Sequence, residues 1–316
     1  MNLMIDSLSI AARYAVVGAC LWLPQERQKS IERWLRGREE FAKTRKADFI
    51  LMSFGKSGRT WVRVMLSRVF QKLAGTDCDT MLEFDNFNRI NSDLPKLYFT
   101  HGNYLRNYTG DWSTKADFYD KRMVLLTRDP RDIAVSQYFQ WKYRMLPRKK
   151  MLNNYPLDGS DISLFDFVVD PKAGLPVILD FFEIWQQEMP FVKDSVIIRY
   201  EDLRSDPGRE LGRVLDFFGL PYTLSQLDEA VTFASYENMK RLEQKGGFRK
   251  HGRRLIPGNR ENPDSYKVRR AKVGGYRDYF YDAQIAVIDE LIRLRKGPLF
   301  GYLPEAVPRS PAKTSP

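Results

Sequence analysis

The chain of 316 residues holds only two cysteines, Cys20 and Cys78, and only two histidines, His101 and His251. Two cysteines so far apart make neither a disulfide framework nor a metal-ligand spacing, which points to a reducing, cytoplasmic setting and to chemistry without a metal centre. Long apolar runs are missing as well. The most apolar early stretch, Leu8 to Leu23, is interrupted by Arg13 and ends at Pro24, short of the roughly 20 residues that a membrane span needs. Val17-Gly18-Ala19-Cys20 loosely resembles a lipoprotein cleavage box, but no basic segment precedes the run and Asp6 stands where positive charge belongs, so secretion is not expected. Two readings of residues 1–46 are left. The preferred one is a helical, basic extension packed on the domain; the other is an amphipathic segment in peripheral contact with a membrane, backed by Arg27, Lys29, Arg33, Arg36 and Arg38. No internal repeat is present. Residues 301–316 are expected to form a disordered tail, because Leu303 to Pro316 carries four prolines and no apolar periodicity.

What the chain does contain is enough apolar material for one large domain: 43% hydrophobic residues, with 20 Phe and 6 Trp. That domain is expected over residues 47–300. A formal charge of +11 draws anions to the surface, yet nucleotides, nucleic acid, acidic glycans and anionic headgroups all answer that description.

Asp48 to Ser53 is a short apolar run followed by a glycine-bearing turn, and reads as a buried strand. From Thr60 to Leu73 apolar residues recur at helical spacing and Gly75 ends the pattern. Leu97–Thr100, Met123–Thr127 and Val196–Arg199 are further strand candidates, and helical patterns lie near Pro130–Tyr143, Pro176–Glu188 and Pro207–Phe218. This alternation predicts an α/β domain: a P-loop-like, three-layer fold with a mainly parallel central sheet flanked by helices, and ligands at the carboxyl ends of the strands. The segments Arg144–Gly174 and Arg241–Tyr266, rich in Lys, Arg, Gly, Pro and Asn, read as loops or flaps over the site.

Phe54-Gly55-Lys56-Ser57-Gly58-Arg59-Thr60-Trp61 joins the first strand to the first helix, where unpaired backbone N–H groups and the helix dipole favour an anion. Glycines let the backbone approach a phosphate, Lys56 supplies charge, and Ser57 and Thr60 can donate. It is not a Walker loop, because Ile50 occupies the position where that motif needs glycine.

The segment resembles the 5′-phosphosulfate loop, KSGTTW, of the sulfotransferases that use 3′-phosphoadenosine 5′-phosphosulfate (PAPS), with Arg59 in place of a threonine. Further motifs follow in that family's order. Arg128-Asp129-Pro130-Arg131-Asp132-Ile133-Ala134-Val135-Ser136 follows the third strand, and the resemblance implies that Arg128 and Ser136 hold the donor's 3′-phosphate. Arg131 and Asp132 are expected at the surface or behind the residues that touch the donor. Tyr200-Glu201-Asp202-Leu203 is similar to the YEDL element, whose tyrosine lies beside adenine. Phe233 to Lys240 is similar to TSFxxMK, which implies base contacts from Ser235 and Tyr236, with Ala234 in place of threonine. Val268 to Arg277 resembles RKGxxGxWK, which implies that Arg269, Arg270 and Ala271 close over the 3′-phosphate; Ala271 replaces the usual glycine.

The same resemblance makes His101, directly after the second strand, the base that takes the acceptor's proton. It makes Lys56 the cation at the leaving oxygen, restrained by Ser136 until an acceptor arrives. Phe99 stands where the family carries a lysine. The implied activity is transfer of a sulfuryl group from PAPS to a hydroxyl or amine, without a metal. The basic flaps and a membrane-facing amino terminus tilt the acceptor toward a carbohydrate or glycolipid; lipids and small phenols stay open. A small-molecule kinase would share the loop but need magnesium carboxylates. A basic nucleic-acid-binding protein would need a continuous basic face, and nucleic acid is not an expected partner.

Overall fold

The structure, a computed structural model, describes residues 2–76, 80–246 and 255–303, with side chains from residue 11 onward. Two amino-terminal helices, α1 (Asn2–Ala19) and α2 (Gln25–Lys46), precede strand β1 (Phe49–Ser53) and helix α3 (Arg59–Leu73). Then come β2 (Leu97–Thr100), α4 (Leu105–Thr109), β3 (Arg122–Thr127), α5 (Pro130–Tyr143), α6 (Pro147–Leu152), α7 (Leu164–Val169) and α8 (Leu175–Glu188). The chain continues through β4 (Asp194–Arg199), α9 (Tyr200–Ser205), α10 (Pro207–Phe218), α11 (Leu224–Phe233), α12 (Tyr236–Lys245) and α13 (Asp282–Arg293).

The four strands form one parallel sheet in the order β2-β1-β3-β4. Alternation along β1 and β3 sends side chains to two dry faces. Phe49, Leu51, Val124 and Leu126 pack with Val62, Met65 and Leu66 of α3 and with Leu211 and Leu215 of α10. Ile50, Met52, Met123 and Leu125 pack on the other face with Leu105, Phe118 and Trp185. A further cluster, with Ile133, Phe167, Phe182 and Ile288, binds α5, α7, α8 and α13 together. The result is the three-layer α/β arrangement expected. Every strand runs the same way, so Ser53, Thr100, Thr127 and Arg199 all finish at one edge of the sheet.

Several sequence expectations change. The flap expected over Arg144–Gly174 contains α6 and α7, each six residues long; under two turns, an apolar stripe is too short to show in the sequence. In the flap expected over Arg241–Tyr266, residues 241–245 continue α12, which ends at Gly246 with φ +69°, and residues 247–254 lie outside those described. Of the tail expected from residue 301, Gly301 and Tyr302 belong to the folded unit. Tyr302 is buried and its hydroxyl donates to Glu201 at 2.5 Å. Residues 304–316 lie outside the described residues.

Residues 25–46 also do more than extend the domain. Helix α2 lies so close to α4 that a Cβ at Gly37 would stand 2.3 Å from the Tyr104 carbonyl oxygen. Glu40 of α2 accepts from the backbone N–H groups of Tyr104 and Leu105 at 3.0 and 2.9 Å, capping α4. Arg13 of α1 in turn pairs with Glu39 at 2.6 Å. No helix among the described residues is long and apolar enough to cross a membrane.

Candidate active site

The carboxyl edge of the sheet opens into a cavity of about 790 Å³. Its floor is the turn between β1 and α3. Lys56 and Gly58 both take left-handed backbone, φ +72° and +96°, and a Cβ at Gly58 would meet the Tyr200 ring at 2.6 Å. No side chain caps α3, so its first N–H groups face the cavity as an anion site. Gly58, Arg59, Thr60 and Trp61 line that floor, and the Trp61 indole N–H is fixed on the Ala234 carbonyl at 2.8 Å. Ser57 departs from expectation: it is fully buried, stands behind the wall, and its Oγ has no hydrogen-bond partner. The left-handed turn at Lys56 points it inward.

Lys56 is half-buried in the cavity wall, and desolvation together with Arg144, Arg128 and Arg269 pushes its ammonium down to about 7. Its Nζ stands 3.5 Å from Gln140 Oε1 rather than on Ser136. Ser136 lines the cavity one helical turn earlier on α5. The polar residues Ser136, Gln137 and Gln140 all face the cavity; their spacing, one and four residues along α5 from Ser136, was the signal for Gln137 and Gln140, which the motif reading passed over.

The ends of β3 and β4 carry the second wall. Arg128 donates to the Lys56 carbonyl and the Lys272 carbonyl, both at 3.2 Å, and its guanidinium lies 4.3 Å over the Tyr200 ring. The Arg128 Nε is buried without a partner, a donor suited to an incoming anion. Asp132, expected at the surface or behind the donor-binding residues, is buried and accepts from the Gly274 and Tyr276 N–H groups at 2.9 Å each, clasping the segment after Val268 onto α5. Arg131 is held by Asp129 and Asp289 at 2.7 and 2.8 Å.

On that clasped segment Arg269 and Arg270 line the cavity. Arg269 donates to the Tyr279 hydroxyl and lies 3.9 Å over Phe139; Arg270 pairs with Asp278 at 3.0 Å. Ala271 sits at φ +50°, in the left-handed region where a glycine would be unstrained. Tyr236 lines the cavity and its hydroxyl donates to the Arg269 carbonyl at 2.9 Å. Ser235 is not among the lining residues: its hydroxyl oxygen is the N-cap of α12, accepting from the Asn238 N–H.

His101 lies at the end of β2, on the cavity wall. Its Nδ1 is 2.6 Å from the Ser53 carbonyl, which can only accept, so that nitrogen carries the proton. Nε2 therefore presents a lone pair, and the Arg59 guanidinium donates to it at 2.8 Å. Burial and then the Arg59 charge hold the imidazole well below its usual range, hence neutral at pH 7. Phe99 contributes nothing polar here. It packs in the core with the Arg63 guanidinium 3.9 Å over its ring.

The wall beyond His101 came from no motif. It is made by Arg33 of α2, Asn103, Tyr104 and Asn107 around α4, Trp112, Lys149, Asn153 and Asn154 near α6, and Lys172. Arg33 is braced by the Leu152 carbonyl at 2.7 Å and the Asn154 side-chain oxygen at 2.9 Å, and the Tyr104 hydroxyl donates to Asn153 at 2.9 Å. Among the described residues no group of three His, Cys, Asp or Glu side chains is placed to hold a metal ion.

Comparison with known proteins gives this geometry a family. A family model described as "Sulfotransferase domain" matches residues 46–301. A flavonol 4′-sulfotransferase of Flaveria chlorifolia is 23% identical over 293 residues, covering 84% of this chain and 83% of that protein. Sulfotransferase 2A1 of Homo sapiens is 21% identical over 267 residues, covering 81% and 86%. Among solved structures, mouse sulfotransferase SULT7A1 complexed with PAP aligns over 84% of this chain and 94% of its own, at 19% identity and a TM-score of 0.55. A retinol dehydratase in complex with retinol and PAP aligns over 78% and 80%, at 16% identity and a TM-score of 0.51. With the cationic cavity at the strand ends and a family match over most of the chain, this protein belongs to the sulfotransferase family and transfers a sulfuryl group from PAPS to an acceptor.

Proposed function

We propose that the acceptor is a hydroxyl of a saccharide, free or lipid-linked, rather than an amine or a flat phenol. The observation that carries this reading is that Asn103, Asn107, Asn153 and Asn154 line the same cavity as the donor loop, together with Tyr104 and the exposed Trp112. Amides present donors and acceptors together, matching a ring of hydroxyls. An indole face covers the apolar C–H side of a sugar ring.

In this reading Arg128, Arg269, Arg270 and the N–H groups at the start of α3 hold the donor's phosphates, with Trp61, Tyr200 and Tyr236 around its base. His101 Nε2 takes the proton as the acceptor oxygen bonds to sulfur. The bond from sulfur to the bridging oxygen breaks, its electron pair stays on that oxygen, and the protonated Lys56 neutralises the charge. The arginines and Lys56 supply the positive charge, so the proposal involves no metal.

The N-terminal helices favour a lipid-linked acceptor. Leu21 and Trp22, at the turn between α1 and α2, are 64% and 81% exposed, and exposed Arg27 and Arg38 lie on the following helix. That combination suits the anionic inner face of a membrane, approached from the cytoplasm.

The test is release of PAP from PAPS with methyl glycosides, a glycolipid extract and 4-nitrophenol as competing acceptors. Turnover of saccharides, lost about 10²- to 10⁴-fold in His101→Ala, supports the reading. Turnover of the phenol alone overturns it. Flotation with phosphatidylglycerol vesicles, lost in Trp22→Ser, tests the membrane contact separately.

A further inference from the structure

The lone pair that has to receive the acceptor's proton is covered. His101 Nε2 accepts from Arg59 at 2.8 Å while Nδ1–H is committed to the Ser53 carbonyl. A guanidinium has no acceptor site and stays protonated, so this contact and base catalysis at Nε2 exclude each other. Arg59 must swing aside before an acceptor hydroxyl can approach.

The donor half of the cavity is already matched to anions by Lys56, Arg128, Arg269 and Arg270. The acceptor half is cationic too. Arg33, Lys149 and Lys172 line it, and the one carboxylate among the described lining residues, Asp132, is committed to backbone N–H groups on the donor side. Arg59, in the first turn of α3, lines the cavity beside His101 and interacts through charge with Glu40 of α2.

We infer that Arg59 is a specificity-determining residue that selects an acceptor bearing an anion, a carboxylate or a sulfate, next to the reacting hydroxyl. The anion draws the guanidinium off His101, forms a forked pair with it, and in doing so exposes the base only when the acceptor is in place. Neutral acceptors have nothing to offer Arg59 and meet a covered base. The inference rests on the saccharide reading for the ring that carries the anion; the anion itself follows from the Arg59–His101 contact and the charge of the wall.

The test uses two pairs of probes, each pair differing in the carboxylate: glucuronate against glucose, and 3-hydroxybenzoate against 3-hydroxybenzyl alcohol. Two readouts are taken in wild type and in Arg59→Thr: KM with PAPS, and the titration of His101 by NMR, assigned with a His251→Gln variant. Arg59→Gln, which keeps the length without the charge, serves as the second variant should Arg59→Thr not fold.

In wild type the carboxylate member is expected to have a KM lower by about 10- to 100-fold and to raise the pKa of His101, whose other charged neighbours are Lys149 and Lys267. Both effects should vanish with the charge of Arg59, and the titration shift is one that a purely structural role would not produce. An advantage in the phenolic pair alone leaves the inference standing and removes the saccharide reading. Equal behaviour of both members in both pairs, or an advantage that survives in the Arg59 variants, overturns it. So does a loss of PAP affinity in those variants with no change in acceptor discrimination, which would give Arg59 to the donor.

Discussion

Asp132 accepts from the backbone N–H of Tyr276 at 2.9 Å across 144 residues of sequence, and its other oxygen accepts from Gly274 at the same distance. A buried carboxylate on α5 thereby fixes the segment that brings Arg269 and Arg270 to the cavity. Asp132→Asn keeps one acceptor and turns an NH₂ group toward the second N–H. The cost is about 1–3 kcal/mol, expected as a loss of roughly 5- to 150-fold in PAP affinity by calorimetry. An unchanged affinity would mean that the segment closes without this clasp.

Lys56 links donor binding to proton uptake. Its ammonium is pushed down to about 7, so at pH 8 it is mostly neutral, and an anionic donor favours its charged form. PAP binding at pH 8 should take up close to about one proton, read as a difference in binding enthalpy between buffers of different ionisation heat. The dependence on buffer should disappear in Lys56→Met.

Glu40 makes the fold less stable as pH rises. Burial raises its carboxyl from 4.5 to about 7, against the two N–H groups of Tyr104 and Leu105. Between those values the folded chain binds more protons than the unfolded chain, so stability declines across that window. Glu40→Gln retains an oxygen for both N–H groups and removes the titration. Urea unfolding should show the variant more stable than wild type at pH 8 by about 3 kcal/mol and equal to it near pH 4. A parallel pH dependence in both proteins would rule this out.

Ala271 holds left-handed backbone at φ +50°. Ala271→Gly should relieve about 1 kcal/mol, seen as a higher urea midpoint, whereas Ala271→Val should lower the midpoint and weaken PAP binding. A midpoint unmoved by glycine would show the strain to be absent.

The sequence alone determined the parallel α/β frame and the family. The run from Phe49 to Met52 is apolar at every position because both of its faces are covered, and the glycines and Lys56 that follow mark the turn directly. His101 and Arg128 could be placed because each directly follows a strand whose end the apolar run defines. Tertiary structure alone decided which side chains the cavity receives. Ser57 turns away and Ser235 caps a helix, since side-chain direction depends on local backbone angles that a motif does not encode. Arg33 reaches the site from α2, Glu40 on the same helix caps α4, and Asp132 clasps a segment far along the chain. Such contacts arise from the packing of elements remote in sequence, and no local pattern of residues carries them.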